Sequence, residues 1–225
     1  MVRADEYDLW YETPRGQWIG QCEIELLCKQ LRPRPGESLL DVGCGTGFFT
    51  RAFANRKTGK VIGVDIDAEY VEHACRRDTA GSYYAVADGR ALPFRNASFD
   101  MVISIAALCF IPDEVAVVRE ILRVARRRFA IGLLNRKSLL WLQKSRKGGS
   151  GAYRGAHWHT VGEVKSLFQG FSIKNMRVQT AVHLHSGGRA GAFFERIFPA
   201  TLSTGAFILA AGELGETEAP AGSPK

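Results

Sequence analysis

The stretch that decides the fold is Ser38-Leu39-Leu40-Asp41-Val42-Gly43-Cys44-Gly45-Thr46-Gly47-Phe48-Phe49-Thr50. Leu39, Leu40 and Val42 make Ser38 to Val42 a short buried strand. Three glycines alternating with small residues follow. Such a run lets the backbone take positive φ and lets a ligand approach the main chain closely. Phe48, Phe49, Ala52 and Phe53 then recur at helical spacing, so a helix starts at about Gly47. A strand, a glycine turn and a helix N-terminus together make a nucleotide-type site on an α/β sheet.

The two ends of the turn discriminate between ligands. A dinucleotide fingerprint needs its third glycine where Phe48 stands, and Asp41 would repel a pyrophosphate, so an NAD-dependent oxidoreductase is disfavoured. No Gly-Lys-Ser/Thr follows, which excludes a Walker A loop. A carboxylate at this point welcomes a cationic ligand instead. The Asp-Val-Gly-Cys-Gly-Thr-Gly run resembles the first motif of class I S-adenosylmethionine-dependent methyltransferases, of the type 11-like family. In that family the ligand carries a sulfonium and an ammonium and has no phosphate. The resemblance covers residues 36 to 135 well and the rest in general layout. It implies an α/β fold: a doubly wound, Rossmann-like sheet of about seven strands, mostly parallel with an antiparallel last strand and helices on both faces.

Further strands follow at Lys60 to Asp65, Tyr83 to Ala87, Ser98 to Ser104, Phe129 to Leu134, Phe171 to Gln179 and Gly205 to Ala211. The second ends in Asp65-Ile66-Asp67, at about the 20-residue offset where α/β nucleotide folds place a ribose-binding acid. A carboxylate accepts two hydrogen bonds and a ribose presents two adjacent hydroxyls. The resemblance assigns that task to Asp65, beside Ile66, while Asp67 reads as the N-cap of the next helix. It continues at Asp88-Gly89 and Leu92-Pro93-Phe94, and makes Asp88 the acceptor for the adenine amino group, with Gly89 keeping the approach open. It also implies that backbone at Ser104 and Ile105 touches the methionine moiety, and that Asp41 and the Gly43, Cys44, Gly45, Thr46 and Gly47 turn hold the amino-acid end. Cys44 serves there by its backbone and small size. Asp100, at the start of its strand, reads as structural.

The acceptor side is less determined. Tyr7, Trp10, Tyr11 and Trp18 crowd a segment that precedes the first strand, and the family often folds such a segment across the cofactor cleft. The amphipathic helix after it runs from Trp18 to Leu31. Tyr7, Tyr11, Trp18, Leu108 and Arg154 are the substrate candidates. His157, His159 and Tyr153 are the candidates for a catalytic base. His157-Trp-His159 and His183-Leu-His185 are i, i+2 pairs that would each face one way on a strand. With no carboxylate or cysteine cluster beside them, no metal site is expected.

Residues 1–35 read as an N-terminal cap and 36–212 as the methyltransferase domain, with insertions around 144–157 and 186–201. Residues 213–225 read as a disordered tail. The chain has 225 residues, enough for one sizeable α/β domain. No apolar run spans a bilayer, no signal peptide opens it, and five scattered cysteines form no C-x-x-C pair, so a reduced cytoplasmic chain is expected. Net charge is +7. Much of the excess lies between Arg119 and Lys147, where a solvated helix face competes with attraction to an acidic partner. The expected function is methyl transfer from S-adenosylmethionine to a small-molecule acceptor, without a stable nucleic-acid partner. The alternatives are an RNA or protein methyltransferase, motivated by the basic loop, and a non-catalytic S-adenosylmethionine-binding module. Oligomeric state is left open.

Overall fold

The computed structural model describes residues 3–56, 58–145, 151–183 and 203–215. The expected insertion at 186–201, His185, and the tail from 216 onward lie outside the described residues, as does the basic run 146–150.

Helix α1 (Ala4–Glu12) and helix α2 (Pro14–Leu31) open the chain. Thr13 separates them. Its hydroxyl accepts the Gly16 N–H at 3.0 Å, and Pro14 follows where a missing N–H costs nothing. The helix therefore begins a turn before the expected Trp18, because the Thr-Pro cap sets the start and the apolar spacing does not.

Strands β1 (Leu39–Val42), β2 (Val61–Asp65), β3 (Tyr83–Val86), β4 (Phe99–Ile105), β5 (Ala125–Leu134), β6 (Lys174–Ala181) and β7 (Phe207–Glu213) form one sheet in the order β3-β2-β1-β4-β5-β7-β6. The pairs among β1 to β5 are parallel, and β7 runs antiparallel to β5 and β6 on either side of it. The expected doubly wound sheet with an antiparallel last strand is thus observed. Strand order reverses at β1 and β4, which puts the ligand crevice beyond their carboxyl ends.

Helix α3 (Phe48–Ala54) packs on β1 and β2, α4 (Ala68–Arg77) on β2 and β3, and α5 (Glu114–Val124) on β4 and β5. Helix α2 covers β5 to β7, and α7 (Val161–Ser166) also packs on β6 and β7. A short α6 (Leu139–Lys144) follows β5. Covered by helices, the central strands are apolar almost throughout: Leu39, Leu40, Met101, Val102, Ile103, Phe129 and Ile131 are fully buried.

Asp100 anchors the amino ends of β1 and β4. It accepts the Ser38 N–H and hydroxyl at 2.9 Å each and pairs with Arg126 at 3.0 Å. Part of this arginine cluster is engaged in internal bonds, while Arg119 on α5 is exposed. Arg123 bonds the Leu92 and Phe94 carbonyls and Glu120. Arg128 bonds the Leu31 and Arg32 carbonyls and Glu37. Helix α5 ends at Val124 and these charges continue onto β5, which starts four residues before the expected Phe129. At the other end, Glu213 belongs to β7 and not to a disordered tail, since it pairs with Arg32 at 3.1 Å and accepts from Asn175 at 2.8 Å.

Candidate functional site

The glycine turn joins β1 to α3 with positive φ at Gly43, Gly45 and Gly47. The Gly43 and Cys44 N–H groups both donate to the Val64 carbonyl, at 2.7 and 2.9 Å, so β2 pins the turn. A Cβ on Gly43 would lie 2.2 Å from that of Ala107, so only glycine fits there. Above Gly45 there is room: the nearest atom to its virtual Cβ is on Tyr70, 3.9 Å away.

Two acids flank this space. Asp65 closes β2 and accepts the Gly45 N–H at 2.8 Å and the Asp67 N–H at 3.0 Å. Burial raises its pKa despite those bonds. Asp67 caps α4 as expected, accepting the Glu69 N–H at 2.9 Å. Asp41 is 1% exposed and accepts the Thr50 hydroxyl at 2.7 Å. Burial pushes its carboxyl up to about 7, against the pull of Thr50, and the Asp65 charge adds to the rise. The Thr46 hydroxyl is buried with no hydrogen-bond partner among the described residues. An open glycine cradle, two acids held above their ordinary pKa and an orphan hydroxyl suit a cationic ligand with polar groups.

The other expected cofactor residues lie at or just after the carboxyl ends of β2, β3 and β4. Ile66, next to Asp65, is 63% exposed, an open apolar side chain. Asp88 forms a fork with Arg90, the closest contact being 2.7 Å, and this pairing holds its carboxyl below the usual range. Gly89 packs towards the end of β1, where a Cβ would meet Val42 at 3.1 Å. The Ser104 hydroxyl is committed to the Val42 carbonyl at 2.6 Å, so its side chain ties β4 to β1. Ile105 is half-buried, and Ala106 after it takes a φ of 59° as the chain turns.

The N-terminal aromatics come over the turn. Tyr11 stacks on Phe48 with ring centroids 3.8 Å apart and planes 12° apart, and Tyr7 lies over Tyr70 at 6.1 Å. Asp8, also buried, latches α1 in place through Arg51 at 3.2 Å and Arg77 at 3.1 Å. Arg51 in turn donates to the Thr46 carbonyl at 2.6 Å. Trp18 is half-buried against the core. Leu108 is not at an acceptor surface. It is fully buried, because the 3-10 turn Ala107–Phe110 points it into the core and leaves Phe110 half-exposed. Arg154 is exposed, and Tyr153 packs on Trp158 at 5.5 Å between centroids.

Two features escape a reading of the sequence. Glu23 sits half-buried on the apolar face of α2, four residues from both Ile19 and Leu27, and near enough to Tyr7, Tyr11 and Tyr153 for its charge to raise their pKa values. Burial pushes its carboxyl up to about 8. An acid inside an apolar stripe is the signal that could have found it. The second is Glu114, whose carboxylate meets both His157 and His159. The carboxylate that seemed missing beside these histidines is supplied from α5.

A methyltransferase-domain family model matches residues 40–128. The uncharacterized protein MJ1123 of Methanocaldococcus jannaschii is 30% identical over 182 residues, covering 80% of this chain and 82% of its own. An O-methyltransferase of Pyrenophora dematioidea is 28% identical, covering 70% of this chain and 58% of its own. A solved structure from Thermotoga maritima, described as a SAM-dependent methyltransferase and possible histamine N-methyltransferase, superposes with a TM-score of 0.71. It shares 20% identity and covers 93% of this chain and 95% of its own. The fold and the matched domain are those of a Rossmann-like methyltransferase. The chain belongs to the class I S-adenosylmethionine-dependent methyltransferases, the type 11 family.

Proposed function

We propose that this chain methylates a small-molecule acceptor in the crevice between the glycine turn and the N-terminal helices. The observation that carries this reading is the aromatic cover: α1 brings Tyr7 and Tyr11 over the turn and is latched there by Asp8. A roof so close to the cofactor turn suits a compact acceptor. The engagement of Arg123, Arg126 and Arg128 in internal bonds weighs against a polyanion-binding face.

In this proposal Asp41, the turn from Gly43 to Gly47 and the Thr46 hydroxyl hold the amino-acid end of the cofactor. Asp65 takes the ribose, Ile66 and Asp88 the adenine, and the backbone at Ser104 and Ile105 lies along the methionine chain. S-adenosylmethionine supplies an activated methyl group on a sulfonium. The protein's work is then to align the acceptor and keep water out. Glu23, close enough to Tyr7, Tyr11 and Tyr153 to influence their charge, joins Tyr153 as a candidate base where the acceptor must lose a proton. His157 and His159 are already engaged by Glu114. The five cysteines are free thiols, which supports a reducing, cytoplasmic setting. Among the described residues no helix is long and apolar enough to cross a membrane.

The test is turnover. With a panel of phenols, amines and hydroquinones, release of S-adenosylhomocysteine with at least one supports the reading. Methylation of RNA or protein extracts with no small-molecule turnover contradicts it.

A further inference from the structure

We propose that Glu114, His157 and His159 form a binding site for a divalent transition-metal ion, with Zn²⁺ the best match. The segment carrying the histidines is held by backbone bonds: His157 N–H to the Cys109 carbonyl at 2.7 Å, His159 N–H to Leu134 at 2.8 Å, and Arg136 N–H to His159 at 2.7 Å. Both imidazoles meet the same carboxylate at the start of α5. His157 Nδ1 lies 2.7 Å from Glu114 Oε1, and His159 Nε2 lies 3.0 and 2.9 Å from Oε1 and Oε2. Their ring centroids are 4.3 Å apart, and one ligand atom from each of the three residues falls within 4.8 Å of the others.

The spacing suits a metal. Ligands at about 2.0–2.1 Å from a tetrahedral ion stand about 3.3 Å from one another. The carboxylate–imidazole separations, 2.7 to 3.0 Å, fall a few tenths of an ångström short of that value, so the side chains need only move slightly apart to admit the ion. Two imidazoles, which are borderline donors, and one carboxylate, a hard one, make the set that zinc accepts while keeping a fourth position open. Two side chains of the site are shielded and one is not: the side chain of His159 is 1% exposed, Glu114 10% and His157 56%. The open position therefore looks outward past His157, beside a surface hollow of about 360 Å³ that Arg136, Trp141, His157 and Trp158 help to line. One carboxylate can accept from both imidazoles, so the hydrogen-bonded cluster and the metal-bound cluster use the same three side chains, and titration with the metal separates them.

The site also touches the cofactor turn through one short connection. Ala107 abuts Gly43, and Cys109, two residues later, holds His157. The ion would thus stand beyond the carboxyl ends of β4 and β5, where this fold binds its ligands.

The experiment uses the full-length chain without an affinity tag, stripped with chelator and titrated with Zn²⁺ by calorimetry. Co²⁺ serves as a spectroscopic probe. One equivalent should bind at micromolar or tighter dissociation constant, and Co²⁺ should give the visible absorption of a tetrahedral nitrogen-oxygen site. His157→Ala and Glu114→Gln should each weaken binding roughly tenfold or more, since losing a ligand costs at least what losing its supporting partner does. The mostly exposed His157 can be removed without unfolding the chain, which circular dichroism checks. No binding by the wild-type protein, or equal affinity in a folded His157→Ala, overturns the proposal and leaves an ion pair only. Metal binding is read without cofactor or acceptor, so its outcome is independent of the methyl-transfer proposal.

Discussion

Replacing Asp41 with Asn should flatten the pH dependence of stability. Asp41 is buried at the end of β1 with the Thr50 hydroxyl as its hydrogen-bond donor, and its carboxyl is pushed from 3.8 up to about 7. Below about pH 4 the folded and unfolded chains both carry this proton, and it costs nothing. As the pH rises, the unfolded chain releases it while the folded chain keeps it. Unfolding is then favoured by about 1.4 kcal/mol per pH unit until the pH passes about 7. The full loss is at most about 4 kcal/mol. Asparagine keeps an oxygen for Thr50 and cannot titrate, so any constant penalty shifts its curve without tilting it. Glu23, raised in the same sense to about 8, contributes equally to both proteins and cancels in the difference. The assay is urea unfolding of the apo proteins, followed by tryptophan fluorescence, between pH 4.5 and 8.5. Wild type should lose stability relative to Asp41→Asn across this window, most of it before pH 7. Parallel curves would refute the claim that Asp41 is held neutral by burial.

Three further outcomes follow from the same site. Thr46→Val removes a buried hydroxyl that has no partner in the apo protein, so thermal stability should hold or rise while S-adenosylmethionine affinity falls by about 1 kcal/mol, read by calorimetry. Gly43→Ala forces a Cβ to 2.2 Å from Ala107 at a positive φ, and should cost about 1–3 kcal/mol in denaturant unfolding, with cofactor affinity lost as well. Tyr11→Ala removes the ring stacked on Phe48. It should raise the cofactor KM and make α1 more open to proteolysis, while the melting temperature of the sheet moves little.

The sheet was legible because its signals are local. Leu39-Leu40-Asp41-Val42 and the glycines after it carry their strand and turn in consecutive residues, and Asp65 lies at a fixed offset. Asp67 announced its helix through cap chemistry that the structure reproduces, and the sequence Thr160-x-x-Glu163 carries the same kind of local signal, realised as reciprocal bonds at the start of α7. Thr13-Pro14 carries the same kind of signal, but the apolar spacing of the helix is regular only from about Trp18 onward. Partners far apart in sequence left no trace. Asp8 meets Arg51 across 43 residues, and Glu114 meets His157 across the same separation, so nothing in either neighbourhood names the other. Leu108 shows the opposite failure. Its distance from β4 was right for the crevice, but the 3-10 turn rotates it into the core and puts Phe110 outside.

The most direct test of the account is calorimetric titration of the apo protein with S-adenosylmethionine, for wild type and Asp65→Ala side by side. Asp65 accepts the Gly45 and Asp67 N–H groups and keeps further acceptor capacity for a ribose. Wild type should bind one equivalent at micromolar dissociation constant. The variant should bind at least about tenfold more weakly, a loss of about 1.4 kcal/mol or more. Absence of binding by wild type, or equal affinity in a folded Asp65→Ala, would contradict the assignment of this crevice to the cofactor.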